Sequence, residues 1–306
     1  MESNTSEIAH EFVPFFRVYK DGKVERITGT KLIPPCIDPQ TGVESKDTVF
    51  SPENNLSARL FIPKPTNRDK KLPVLIYIHG GAFCIESPFS TLYHNHLTTL
   101  VNKANVVAVS IQYRRAPEHP LPAAYDDAWA AIQWVASHAK GDGPEPWLNQ
   151  YADLDRAFIA GDSAGANIAH NMAVKAGVSG LVGVKLVALV MVHPYFMKGE
   201  PDSLIKFIFP SNQGSEDPRI NPASCDAGRL ELSKLGCSRV LVFVAGNDWL
   251  RDRGLSYYEA LKGSGYSGVV DLVETEGEEH VFHLFNPEGE KVEPMLQQFV
   301  SFIHQV

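Results

Sequence analysis

A serine hydroxyl acts as a nucleophile near neutral pH only when a base stands beside it and a third group orients that base. This chain carries Ser163, Asp248 and His280, the residue types that such chemistry needs. Ser163 sits in Gly161-Asp162-Ser163-Ala164-Gly165, a G-x-S-x-G pentapeptide between a strand-like apolar run (156–160) and a helix-like one (164–176). That context predicts a sharp strand-to-helix turn that exposes the serine above a sheet, with small flanking residues letting strand and helix pass closely. Asp248 follows the apolar run 240–245, and His280 follows 269–274. Alone, a strand-end aspartate reads as a turn or cap and a lone histidine as a packed side chain. Behind the pentapeptide, the order serine, acid, histidine reads as a nucleophile, its orienting carboxylate and its base.

Acyl transfer also needs donors for a developing oxyanion. His79-Gly80-Gly81-Ala82-Phe83 follows an apolar run ending at Ile78, and its glycines let backbone N–H groups approach an oxygen unobstructed. Gly80, Gly81 and Ala164 are the expected donors. Asp252 is expected to cap or pair, Glu278 and Glu279 to be solvated, His283 to pack behind its loop, and Asp162 to serve as a structural hydrogen-bond partner. Phe83, Tyr195, Phe196, Trp249 and Val281 are the expected pocket walls, a group that core packing would explain equally well.

The elements that must position these residues alternate between strand-like and helix-like runs, the pattern of a mostly parallel central sheet flanked by helices. Strands are expected at 57–63, 73–78, 106–111, 156–160, 184–192, 239–245 and 269–274. Helices are expected at 126–138, 164–176, 254–263 and 292–303. Two regions fit the alternation less well: residues 1–50, rich in aromatics and proline, and the short aromatic stretch 195–214. Both read as cap or lid segments over the strand ends, where open α/β sheets place ligands. Residues 64–71 and 141–146 read as surface loops, so 1–306 is taken as a single domain.

Of the 306 residues, 44% are hydrophobic and 21% charged, which suits a globular chain with a sizeable core. The net charge of -8, without long like-charged runs, argues against a nucleic-acid groove or a polybasic membrane face. Four scattered cysteines without metal spacing suggest reduced thiols, and no metal or cofactor is expected. The polar N-terminus and the lack of a membrane-length apolar run point to a cytoplasmic protein.

Several segments together resemble a known family. They are His79 to Phe83, Tyr113-Arg114-Arg115-Ala116-Pro117-Glu118-His119 with Pro122-Ala123-Ala124, Gly161 to Asn167, His280-Val281-Phe282, and Val18 to Arg26. The chain is similar over nearly its whole length to the hormone-sensitive-lipase-like α/β-hydrolases, specifically the plant carboxylesterases. The resemblance implies an α/β-hydrolase fold with an N-terminal cap segment and a serine carboxylesterase acting on small or medium apolar esters. It also implies a mainly structural role for 114–124. Gibberellin receptors resemble this family but lack the histidine, and 2-hydroxyisoflavanone dehydratases have threonine at the nucleophile. Here Ser163 and His280 are both present, which favours hydrolysis. A lyase, dehydratase or cyclase of plant specialised metabolism is the alternative, and a non-catalytic small-molecule receptor the more remote one. The segment between Pro194 and Pro210 is shorter than the resemblance implies, so either the cap is reduced or residues are absent there.

Overall fold

The computed structural model describes residues 7–64 and 70–305. Most of the polar N-terminal stretch, and 65–69 of the expected loop 64–71, lie outside the described residues. The chain opens with β1 (Ile8–Phe12), β2 (Phe16–Tyr19) and β3 (Val24–Arg26), a small antiparallel sheet of its own. There follow β4 (Glu44–Ser51), β5 (Leu56–Ile62), β6 (Leu72–Ile78), α1 (Thr91–Ala104), β7 (Val107–Ile111), α2 (Ala123–Ala136) and α3 (Pro146–Tyr151). Next come β8 (Ala152–Asp162), α4 (Ala164–Ser179), β9 (Leu186–Val192), α5 (Ser203–Ile208) and α6 (Asp226–Leu232). The chain closes with β10 (Arg239–Ala245), α7 (Arg251–Gly263), β11 (Val269–Thr275), α8 (Phe282–Phe285) and α9 (Val292–His304).

Strands β4 to β11 form one eight-stranded sheet in the order β4-β5-β7-β6-β8-β9-β10-β11. Pairings from β7 through β11 are parallel, and only β4 and β5 run against their neighbours. Its central strands are Val, Leu and Ile runs because both faces are covered. β9, Leu-Val-Ala-Leu-Val-Met-Val, is buried at every residue. One apolar layer is carried by α2, α4 and α7, the other by α1 and α9. Burial on this scale contributes about 25 cal/mol per Å² of apolar surface, the main force holding helices to sheet.

The expected strands and helices are present, with ends shifted by a few residues. The short elements β1–β3, α3, α5, α6 and α8 arise where no strand or helix was expected, and three further features differ. Glu44–Ser51, expected within the cap, pairs antiparallel with β5 as the edge of the main sheet. Its polar residues suit an edge strand, which must resist pairing with other chains. α1 was not foreseen, although Leu97, Leu100, Val101 and Ala104 line one helical face. β8 starts at Ala152, ahead of the expected Arg156, because α3 feeds straight into it.

Candidate active site

Parallel register brings distant residues to one rim. Ile78 pairs with Gly161, Asp162 with Val192, Val192 with Phe243, and Ala245 with Thr275. The loops leaving β6, β8, β9, β10 and β11 therefore emerge side by side at the carboxyl ends of the strands. Ser163 occupies the turn between β8 and α4 with φ 52° and ψ -119°. Close approach is what requires small residues here. A Cβ on Gly165 would lie 2.0 Å from the Ile78 carbonyl oxygen, so no side chain fits where α4 crosses β6.

The three candidate groups meet. His280 Nδ1 donates to Asp248 Oδ2 at 2.8 Å, and this tautomer leaves Nε2 to accept from Ser163 Oγ at 3.0 Å. Asp248 is also held by the Leu250 N–H on Oδ1 at 2.8 Å. Burial pushes the Asp248 carboxyl up, but the hydrogen bond and charge of His280 and the Leu250 N–H outweigh it, and its pKa falls below the ordinary value. His193, which sequence reasoning did not single out, fixes the histidine loop: its Nδ1 accepts the Val281 N–H at 2.8 Å. His193, Asp248 and His280 also offer ligand atoms within 4.8 Å of one another. His193 Nδ1 and the His280–Asp248 pair are already hydrogen-bonded, which suits a proton-transfer triad better than a metal centre.

Asp162, Asp252 and Glu279 occupy the places expected of them, while Glu278, expected to be solvated, is half-buried 3.9 Å from Lys291. Asp162 accepts Tyr77 Oη at 3.0 Å and Tyr93 Oη at 2.7 Å, a buried structural bridge. Asp252 lies exposed and pairs with Arg251 at 3.2 Å, and His283 is buried behind the loop.

Among the expected oxyanion donors, Gly80 is a correction. Its N–H donates to Tyr93 Oη at 2.7 Å and is not free for a ligand. The N–H groups of Gly81, Ala82 and Ala164 find no acceptor among the described residues. The N–H groups left for a ligand at this turn are thus those of Gly81, Ala82 and Ala164, the last at the positive end of α4. Ala82, at φ 54°, is the residue that sequence reasoning missed as a donor. The missing signal was Tyr93, thirteen residues from Gly80 and on a helix not foreseen.

The expected pocket walls divide. Trp249 is 59% exposed with its ring 6.3 Å from that of His280. Tyr195 packs edge-on against Trp249 at 5.7 Å and Phe83 against Tyr195 at 6.1 Å, a run of rings leading inward from the mouth. Phe196 is not a wall: it stacks on Tyr257 at 4.9 Å within the core beside α4. Val281 is likewise buried among the residues of α1 and α9.

A family model described as alpha/beta hydrolase fold matches residues 75–284. The chain is 48% identical to "Probable carboxylesterase 5" of Arabidopsis thaliana, covering 97% of this chain and 99% of that one. It is 45% identical to "2-hydroxyisoflavanone dehydratase" of Glycyrrhiza echinata, covering 99% and 100%. Among solved structures it resembles EstE1, a thermostable carboxylesterase cloned from a metagenomic library. The TM-score is 0.71 at 28% identity, over 87% of this chain and 90% of that one.

Proposed function

The chain belongs to the alpha/beta-hydrolase fold family, and from that premise we propose that it is a serine carboxylesterase for small or medium apolar esters. The observation that carries the proposal is the continuous hydrogen-bonded path from Ser163 through His280 to Asp248, beside three unpartnered N–H groups. In this reading Ser163 Oγ attacks the ester carbonyl while His280 Nε2 takes its proton. Gly81, Ala82 and Ala164 hold the oxyanion of the tetrahedral intermediate. His280 then gives its proton to the leaving alkoxide, and a second cycle with water releases the acid. Asp248 stabilises the imidazolium formed in each half.

The N-terminal three-stranded sheet and the segment around α5 are proposed as two parts of one cap. His10 and Phe12 of β1 pack on Phe207 of α5, with ring centroids 4.7 and 5.0 Å apart. Together with the exposed Trp249, this apolar rim supports esters of modest size. No helix among the described residues is long and apolar enough to cross a membrane. The four unpaired cysteines support a reducing compartment, and a cytoplasmic location is the reading retained.

Hydrolysis of a p-nitrophenyl ester series by the protein and its Ser163→Ala variant tests the proposal. Turnover by the unaltered protein that falls by about 10⁶-fold in the variant is the expected result. No turnover from folded protein would refute it. The similarity to a dehydratase favours one second reading, elimination at the same site. Product analysis separates the two, because hydrolysis yields an acid and an alcohol while elimination yields water and an alkene.

A further inference from the structure

Two phenols from other elements hold the loop that carries the oxyanion donors. Tyr93 of α1 accepts the Gly80 N–H at 2.7 Å and donates its own O–H to Asp162 Oδ2 at 2.7 Å. Tyr113, just beyond β7, donates to the carbonyl oxygens of His79 and Gly80 at 3.0 and 3.1 Å. His79 Nδ1 donates to the same Gly80 oxygen at 2.8 Å, and its ring stacks on Tyr113 with centroids 4.2 Å apart. Tyr93, Tyr113, His79 and Asp162 are all buried.

Peptide planarity turns these contacts into a direction. The Gly80 C=O and the Gly81 N–H belong to one trans peptide and point opposite ways. A carbonyl held by Tyr113 and His79 therefore turns the Gly81 N–H to the other side of the loop. The clamp closes only on glycine, since a Cβ at Gly80 would lie 2.5 Å from Asp162 Oδ2 and 3.0 Å from Tyr93 Oη.

We propose that Tyr93 and Tyr113 are positioning residues of the oxyanion site, gripping Gly80 at its N–H and its C=O so that Gly81 and Ala82 present their N–H groups to the developing oxyanion. This rests on the serine-esterase reading. Neither phenol hydrogen-bonds to Ser163 or His280; each acts through the backbone. Burial holds both phenols protonated, far above the ordinary tyrosine value, so they remain donors over the whole working pH range. Tyr77 is the natural control. It is as deeply buried and donates to the other oxygen of Asp162, but it makes no hydrogen bond to the loop.

The test compares Tyr93→Phe, Tyr113→Phe and Tyr77→Phe in p-nitrophenyl acetate kinetics and in titration with an aryl trifluoromethyl ketone. Ser163 Oγ adds to the ketone carbon, its proton passes to His280, and the carbonyl electron pair becomes the bound oxyanion. Each clamp variant is expected to lose at least about tenfold in kcat, toward the ~10²–10³ that deletion of one donor costs. KM should stay within about twofold, with ketone affinity falling in step with kcat and Tyr77→Phe staying near the parent. Clamp variants that lose only melting temperature, or a Tyr77→Phe loss as large as theirs, would overturn the clamp. If Tyr113→Phe does not fold, Tyr93→Phe alone decides. Absence of ester turnover in the parent would overturn the esterase reading instead, and the ketone series would still decide the clamp, because forming the adduct needs no turnover.

Discussion

Ser163, Ala82, Phe83, His193 and Val281 all hold positive φ, between 46° and 64°, and all lie on the rim. Conformations of this kind cost on the order of 1–3 kcal/mol each for residues with a Cβ. The packed sheet below offsets that cost, and in return the nucleophile and the donors are fixed before substrate arrives. In the proposed mechanism Asp248 acts through tautomer control, so Asp248→Asn should leave the fold intact and lower kcat by about 10⁴-fold. Circular dichroism beside steady-state kinetics checks both halves. Unchanged kcat would remove Asp248 from the triad. At this scale the serine, the acid and the base were legible, because each follows a strand pattern in a recognisable order. The Gly80 misassignment shows the limit: which N–H stays free depends on Tyr93, and no local pattern around Gly80 announces it.

The elements were legible where apolar periodicity is strong, as in β6, β9, β10 and α9. α1 was hidden because Thr91, His94, His96, Thr98 and Thr99 dilute its apolar face and lower its helix propensity. β4 was hidden because it is an edge strand with alternating charge. The contact between β1–β2 and α5 is a tertiary one. Phe207 of α5 touches His10, Phe12 and Phe16, nearly 200 residues earlier in the chain. Phe207→Ala should loosen that clasp without touching the triad. The expected result is a several-fold higher KM for apolar esters, a kcat within about twofold, and a stability loss of about 1–3 kcal/mol for a half-buried ring. Ester kinetics and thermal melts read these separately, and an unchanged KM would exclude the cap from substrate binding.

Across the whole molecule, buried histidines set the acid limit. Burial holds His79, His170 and His193 down to about 3, and His283 well below the ordinary value. Below pH 6.5 the unfolded chain binds a proton at each of these four and the folded chain does not. Stability therefore falls with pH by about 1.4 kcal/mol per unit for each group. Asp162 works the other way, since burial pushes it up to about 6 despite the hydrogen bonds from Tyr93 and Tyr77. Between about pH 4 and 6 it is protonated only in the folded chain and cancels one histidine. For these five groups the slope is about 4 kcal/mol per unit, against a total stability of roughly 5–15 kcal/mol. A steep acid unfolding transition between about pH 3 and 5 follows, to be followed by far-ultraviolet dichroism, with His170→Phe expected to move the midpoint to lower pH. A chain still fully folded at pH 3 would contradict the assignment of neutral buried histidines.

Ser163 and His280 are 117 residues apart in sequence, and His280 and Asp248 are 32 apart. They become neighbours only through the register of four adjacent parallel strands, β8 to β11. No short fragment of the chain contains the site, and long-range parallel pairing is slow to close. During synthesis and refolding, helices and local turns form well before a single ester bond can be cut. Catalytic competence thus waits on the pairing of β8 to β11, and its appearance is a readout of that half of the sheet.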